Sequence, residues 1–179
     1  NSLNYFSHYS KLLKIFNPLD NFSELSLNQK GDTFWMQEAF KLSEKAFSND
    51  EVPIGSVVVL HNRIIGKGYN QVDSLSDPTA HAEILAITAA ANTLGDWRLS
   101  ECTLYVTKEP CSMCAGAIVN SRLKRVVFGV YDEDKGACGS LYQICGDKRL
   151  DSATIIKGGV LEQQCKAILK EFFSLKRDE

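Results

Sequence analysis

Two short stretches, His81-Ala82-Glu83 and Glu109-Pro110-Cys111-Ser112-Met113-Cys114, decide how this 179-residue chain is read. One histidine and two cysteines offer three ligands to a metal ion. Three protein ligands leave a fourth position for water, as catalytic zinc sites do, whereas structural sites usually close with four. Glu83 stands two residues from His81, near enough to reach that water without binding the metal. Each half alone has a plainer reading. A histidine ahead of a helix is usually a cap or a partly exposed residue. Cys-x-x-Cys alone also suits a thiol-redox pair, a structural half-site or two packed thiols. The redox reading wants a strand-loop-helix context, which the sequence supplies, but it leaves His81 and Glu83 without a role. The joint spacing, with Pro110 before the first cysteine and Glu109 before that, favours an open metal site.

Working outward from these stretches, His81 and Glu83 fall in the first turn of a helix expected over 80–94. Gly95 stops it, and Leu85, Ala89 and their neighbours are expected to pack it. A strand is expected over 101–107, a loop over 108–110, and a helix from Cys111 to about 121. Both cysteines then lie at a helix N-terminus, where the dipole favours thiolates. A further strand follows over 125–131.

Upstream, the run Val52-Pro53-Ile54-Gly55-Ser56-Val57-Val58-Val59-Leu60 reads as a buried strand. His61-Asn62-Arg63 turns it into a second strand over 64–70, giving a hairpin. Before the hairpin, Asp32 is placed to cap a helix over 33–48. That helix carries an apolar stripe of Trp35, Ala39, Leu42 and Ala46, with Lys41, Glu44 and Lys45 outside. Downstream, a short strand over 153–157 and an amphipathic helix over 162–176 complete the chain, with Ile168, Leu169 and Phe172 facing inward. Strands alternating with helices after an opening hairpin predict an α/β layered fold with a mixed sheet. Two ligand groups that start successive helices would then meet at one edge of that sheet.

Composition agrees with one globular domain. Hydrophobic residues make up 44% and charged residues 23%, and the net charge is -2. That charge does not announce a nucleic-acid binder, nor exclude one, because binding depends on where the basic residues lie. Six cysteines, two already in a metal motif, do not form a secreted disulfide framework. Cys102, Cys138, Cys145 and Cys165 are expected to be buried, inert thiols. No apolar run approaches the roughly eighteen residues of a membrane span. Residues 1–31 read as a separate extension, with a short amphipathic helix built on Tyr5, Phe6, Tyr9, Leu12, Leu13 and Phe16, and then a linker. The globular domain is expected over 32–179. The first residue is not Met, so a leading segment is expected to have been removed or left out. A cytoplasmic location is expected, and an organellar one if the removed segment was a targeting peptide.

The pattern His-x-Glu…Pro-Cys-x-x-Cys marks the zinc nucleobase deaminases, in which the Glu is the general acid/base. From about residue 33 onward the chain resembles one branch of them, the bacterial-type tRNA-specific adenosine deaminases. The resemblance rests on Val52-Pro53-Ile54-Gly55, Asn70, His81-Ala82-Glu83, Leu104-Tyr105-Val106-Thr107 and the run from Glu109 to Ile118. It also rests on Val126-Val127-Phe128-Gly129, Gly139-Ser140-Leu141 and Phe172-Phe173.

It implies a three-layer α/β/α fold around a five-stranded mixed sheet, hydrolysis of the wobble adenosine (position 34) of tRNA to inosine, one zinc per subunit, a homodimer, and the anticodon stem-loop as partner. By the resemblance, His81, Cys111 and Cys114 bind zinc and Glu83 shuttles the proton. Asn70, Val52, Pro53, Ala82, Asp132 and Phe173 then form the substrate site. Lys108 stands where many relatives carry an apolar residue and is expected to contact a phosphate. Arg122, Lys124, Arg125, Lys170, Lys176 and Arg177 are further basic candidates. Two other classes stay open here: a deaminase of free bases or nucleotides of the guanine, cytosine or cytidine type, and a non-catalytic zinc-binding module of the same fold.

Overall fold

The computed structural model describes residues 30–150 and 154–177, so the helix expected between Tyr5 and Phe16 lies outside the described residues. Every element below belongs to the unit Gly31–Glu179. Helix α1 (Asp32–Ser48) leads into the hairpin β1 (Gly55–Leu60) and β2 (Arg63–Tyr69), followed by the short helix α2 (Val72–Leu75). Helix α3 (Ala82–Leu94), strand β3 (Thr103–Lys108), helix α4 (Ser112–Asn120) and strand β4 (Arg125–Val130) come next. Strand β5 (Ile155–Lys157) and helix α5 (Glu162–Arg177) close the order.

The five strands form one sheet in the order β2-β1-β3-β4-β5. β1 runs antiparallel to β2 and β3, while β3, β4 and β5 are parallel, so the sheet is mixed. The hairpin turn is tight: His61 and Asn62 both take positive φ, 46° and 61°. This is the backbone that two-residue hairpin loops require.

Each face of the sheet is covered. On one face Trp35, Met36 and Ala39 of α1 bury against Val57, Val59, Tyr105 and Val127, with Val160 and Leu161 at the edge. On the other face Ala86 and Ala90 of α3 and Ala115 and Ile118 of α4 bury against Val58, Leu104, Val106, Val126 and Phe128. The result is the expected three-layer α/β/α arrangement. Strand alternation explains it, since Val57 and Val59 face one layer and Val58 the other.

Two details differ from the sequence expectation. The cap of α1 is Gly31, with no side-chain hydrogen bond, and Asp32 lies inside the first turn. Its carboxylate instead accepts from Arg125 (2.6 and 2.8 Å), Lys157 (2.6 Å) and the Tyr105 hydroxyl (2.9 Å). Two cations and a phenol from three strands hold a carboxylate more strongly than one backbone N–H can. The buried apolar seam of α3 is Ala82, Ala86 and Ala90, so the neighbours of Leu85 and Ala89 carry the packing while those two are themselves half-buried. Gly66 and Gly68 of β2 draw that seam in. A Cβ on Gly68 would stand 2.7 Å from the Ala86 nitrogen, and one on Gly66 2.7 Å from the Ala90 nitrogen. The Gly-x-Gly of the strand and the alanines of the helix thus let backbone approach backbone, and this sets where α3 begins.

Candidate active site

His81 is the N-cap of α3 and Cys111 the N-cap of α4, both with extended backbone. Glu83 and Cys114 follow within the first turns of the same two helices. The parallel crossover from β3 through α4 to β4 leaves Cys111 just past the C-terminal end of β3. Open α/β sheets commonly bind ligands at that edge.

The ligand atoms of His81, Cys111 and Cys114 all lie within 4.8 Å of one another. His81 Nδ1 is 3.7 Å from Cys111 Sγ and 3.5 Å from Cys114 Sγ. A tetrahedral ion with zinc-like bond lengths needs N···S edges of about 3.6 Å. One imidazole and two sulfurs at this spacing therefore fit such an ion, in donor type and in size. Electrostatics agree. The Cys114 thiol and His81 hydrogen-bond the Cys111 sulfur and hold its pKa down at about 3. Cys111 in turn pushes Cys114 up and, as the imidazole's partner, raises His81. Burial pushes the Glu83 carboxyl up; its side chain is only 4% exposed.

A cavity of about 350 Å³ opens over this cluster. Of the residues singled out from the sequence, Val52, Asn70, His81, Glu83, Lys108, Cys111, Asp132 and Phe173 line it. Cys114, Pro53 and Ala82 are buried behind the lining. Asn70 ends up here because β2 stops at Tyr69, and Phe173 because α5 carries it to the rim, stacked edge-on against Phe172.

Lys108 and Asp132, read separately in the sequence, pair with each other: Nζ lies 2.6 Å from Oδ2. Burial disfavours the Asp132 charge, but the Lys108 ammonium together with the Asp134 and Lys135 N–H groups holds the carboxyl below its usual range. The other basic candidates stand elsewhere. Arg125 is committed to Asp32, Lys124 to Glu101 (2.9 Å) and Lys176 to Asp50 (2.7 Å).

Several residues received no site role from the sequence, although Glu109 and Ile54 stand within its quoted motifs. Ile54, Val72, Asp73, Glu109 and Lys135 also line the cavity. Glu109 is 3% exposed and accepts the backbone N–H groups of Asp132, Cys138 and Ser140, each at 3.0 Å, together with the Ser140 hydroxyl. It ties the 132–140 loop to the start of α4, where Cys111 also bridges Gly136. A charged residue directly before Pro-Cys was the available signal. Cys102, Cys138, Cys145 and Cys165 are buried, as expected.

A five-stranded layered sheet that presents a His-Cys-Cys cradle beside a buried glutamate defines the cytidine-deaminase-like class of hydrolases. The model of the MafB19-like deaminase family matches residues 30–177. The tRNA-specific adenosine deaminase of Bacillus subtilis (strain 168) is 44% identical over 142 residues, 79% of this chain and 88% of that protein. Its counterpart in Haemophilus influenzae is 44% identical over 149 residues, covering 83% and 86%. Among solved structures, one from studies of A-to-I editing by tRNA:A34 deaminases superposes with a TM-score of 0.74 at 39% identity, covering 76% of this chain and 99% of that one. A guanine deaminase from Bacillus subtilis superposes with a TM-score of 0.56 at 35% identity, over 62% and 71%. The chain belongs to the deaminase family that the tRNA-specific adenosine deaminases represent.

Proposed function

We propose that this protein hydrolyses the wobble adenosine of tRNA to inosine, releasing ammonia, with His81, Cys111 and Cys114 holding one zinc per subunit. The observation that carries the chemistry is the three-ligand cradle, spaced for such an ion and set against buried Glu83 in one cavity. The substrate follows from family membership, since the curated relatives at 44% identity are tRNA-specific adenosine deaminases. Zinc, when bound, supplies Lewis acidity that brings the pKa of a water to about 7.

The chain's own residues do the rest. Glu83 takes one proton from the attacking water and passes it to the adjacent ring nitrogen, then takes the remaining proton of the hydroxyl added to the ring carbon and gives it to the departing amine, which leaves as ammonia. One carboxylate serves both transfers because each step regenerates the form that the next requires. Its burial favours the protonated form that donates. Asn70 hydrogen-bonds the base, Val52 and Phe173 pack against the nucleoside, and Lys108, Asp132 and Lys135 meet the RNA strand at the rim. The anticodon stem-loop brings a splayed, single-stranded adenosine, so the unstacking cost is low. A homodimer in the cytoplasm completes the reading. Among the described residues, no helix is long and apolar enough to cross a membrane.

The test joins metal content to turnover: an anticodon stem-loop with adenosine at the wobble position, beside free guanine, cytosine and cytidine. About one zinc per chain and inosine in the stem-loop alone is the expected result. Turnover of a free base alone would move the substrate to the guanine-deaminase type. Zinc without turnover of any would leave a binding module.

A further inference from the structure

Glu51 is 1% exposed and does not line the cavity, yet its carboxylate is fully engaged with the cavity wall. Asn70 Nδ2 donates to its Oε2 at 3.1 Å. The Ser74 and Asp73 N–H groups donate to Oε1 and Oε2 at 2.8 and 3.4 Å. Burial works against this charge, but the Ser74 groups, the Asp73 N–H and the Asn70 amide together keep the carboxyl below its usual range. Asn70 is itself 5% exposed and lines the cavity, as do Val72 and Asp73.

A carboxylate only accepts hydrogen bonds, so the edge of the Asn70 carboxamide facing Glu51 must be its nitrogen. Turned over, the amide would set its oxygen against two carboxylate oxygens in a dry pocket, which is strongly disfavoured. What Asn70 has left to offer a ligand is therefore Oδ1 and one N–H, in a fixed order.

From this geometry we infer that Glu51 is a positioning residue for the deamination, holding the Asn70 carboxamide in one of its two orientations before the base arrives. The inference rests on the deaminase reading, in which Asn70 meets the base. A site that presents its hydrogen-bonding groups in a fixed order spends no binding energy on arranging them, and it rejects bases of the opposite polarity. The same carboxylate pins residues 72–74, an exposed piece of wall that only a four-residue helix supports. A purely structural role would end there. The role proposed runs through Asn70 and separates from it experimentally.

The experiment is a double-mutant cycle on the zinc-loaded full chain: Glu51→Gln, Asn70→Ala, and both. Steady-state kinetics on the wobble-adenosine stem-loop are read together with zinc content and Tm. Glu51→Gln is expected to lower kcat/KM by roughly 10–100-fold, mostly through KM, with zinc retained. In the Asn70→Ala background it should cost no more than about 3-fold further, because the group it positions is already gone. Losses that multiply in full would overturn the proposal.

A second measurement needs no turnover. The Asn70 side-chain amide pair is followed in a ¹H–¹⁵N spectrum and assigned by its loss in Asn70→Ala. It should shift in Glu51→Gln, and an unmoved pair would also overturn the proposal. Should Glu51→Gln fail to fold, Glu51→Asp replaces it, since it withdraws the carboxylate by one methylene and keeps the charge. If the wild-type chain makes no inosine, the substrate reading fails on its own, and the amide spectrum still decides the role of Glu51.

Discussion

Glu83 is a buried carboxylate two residues from His81, a candidate metal ligand, and nothing about packing calls for it there. A structural site would be better served by an apolar side chain, because burying a charge costs several kcal/mol. Glu83→Ala is therefore expected to keep its metal and to lose about 10³-fold in turnover, measured as inosine formed per zinc-loaded chain. Near-normal turnover would remove Glu83 from the mechanism. Cys111→Ala takes a ligand instead of a proton carrier, so it should lose metal and activity together. Metal analysis of the purified variant checks this, and unchanged zinc would point to other ligands. At this scale the ligand set was legible in order along the chain, because residue type and spacing carry it. Glu51 and Lys135 were not legible, because their value depends on what lies across the cavity. Glu51 meets Asn70 from 19 residues away, and no local pattern records that pairing.

Elements bring those residues together, and two joints matter most. The first is α3 on β2. Gly68→Ala would force a Cβ to within 2.7 Å of the Ala86 nitrogen, on the helix whose first turn holds Glu83 and whose cap is His81. Overpacking of this kind costs about 2 kcal/mol, which for a chain of this size is a drop in Tm of roughly 6 °C. Calorimetry reads it directly, and an unchanged Tm would mean that α3 can move aside.

The second joint is Asp32, which pins α1 to strands β3, β4 and β5 through Tyr105, Arg125 and Lys157. The Arg125 guanidinium, with Lys157 and Tyr105, holds its carboxyl well below the ordinary range. A carboxyl with a lowered folded-state pKa contributes stability above its unfolded value, about 3.9, and loses it as pH falls below that. The pair is partly open to solvent, so its worth is discounted from the buried limit. Asp32→Asn should therefore cost about 2 kcal/mol at pH 7, and the gap to wild type should narrow below about pH 4. Denaturant titrations at pH 7 and pH 3 test both the size and the sign. A gap that widened at pH 3 would contradict the assignment.

Across the whole molecule, the proposed metal cradle would act as a cross-link as well as a catalytic device. It joins the starts of α3 and α4, two helices that reach the site from opposite sides of β3 in the sequence. An ion bound only by the folded chain stabilises by mass action, about 2.7 kcal/mol at a hundredfold excess over Kd. Stripping zinc with a chelator should therefore lower Tm by roughly 5–10 °C, and adding zinc back should restore it. A Tm indifferent to chelation would mean that the three ligands are held by the protein alone.

The sequence by itself picked out the candidate ligand trio His81, Cys111 and Cys114, the nearby Glu83, the layered fold and the approximate limits of most elements. These depend on residue type, short spacing and hydrophobic period, all of which are local. Tertiary structure alone decided that Asp32 ties strands together instead of capping α1, that Lys108 and Asp132 neutralise each other, and that Glu51 and Glu109 hold the walls of the cavity. The reason is physical: a charge near the surface selects its partner by distance and desolvation after the chain has closed. Residues 19 to 125 positions apart become neighbours only then.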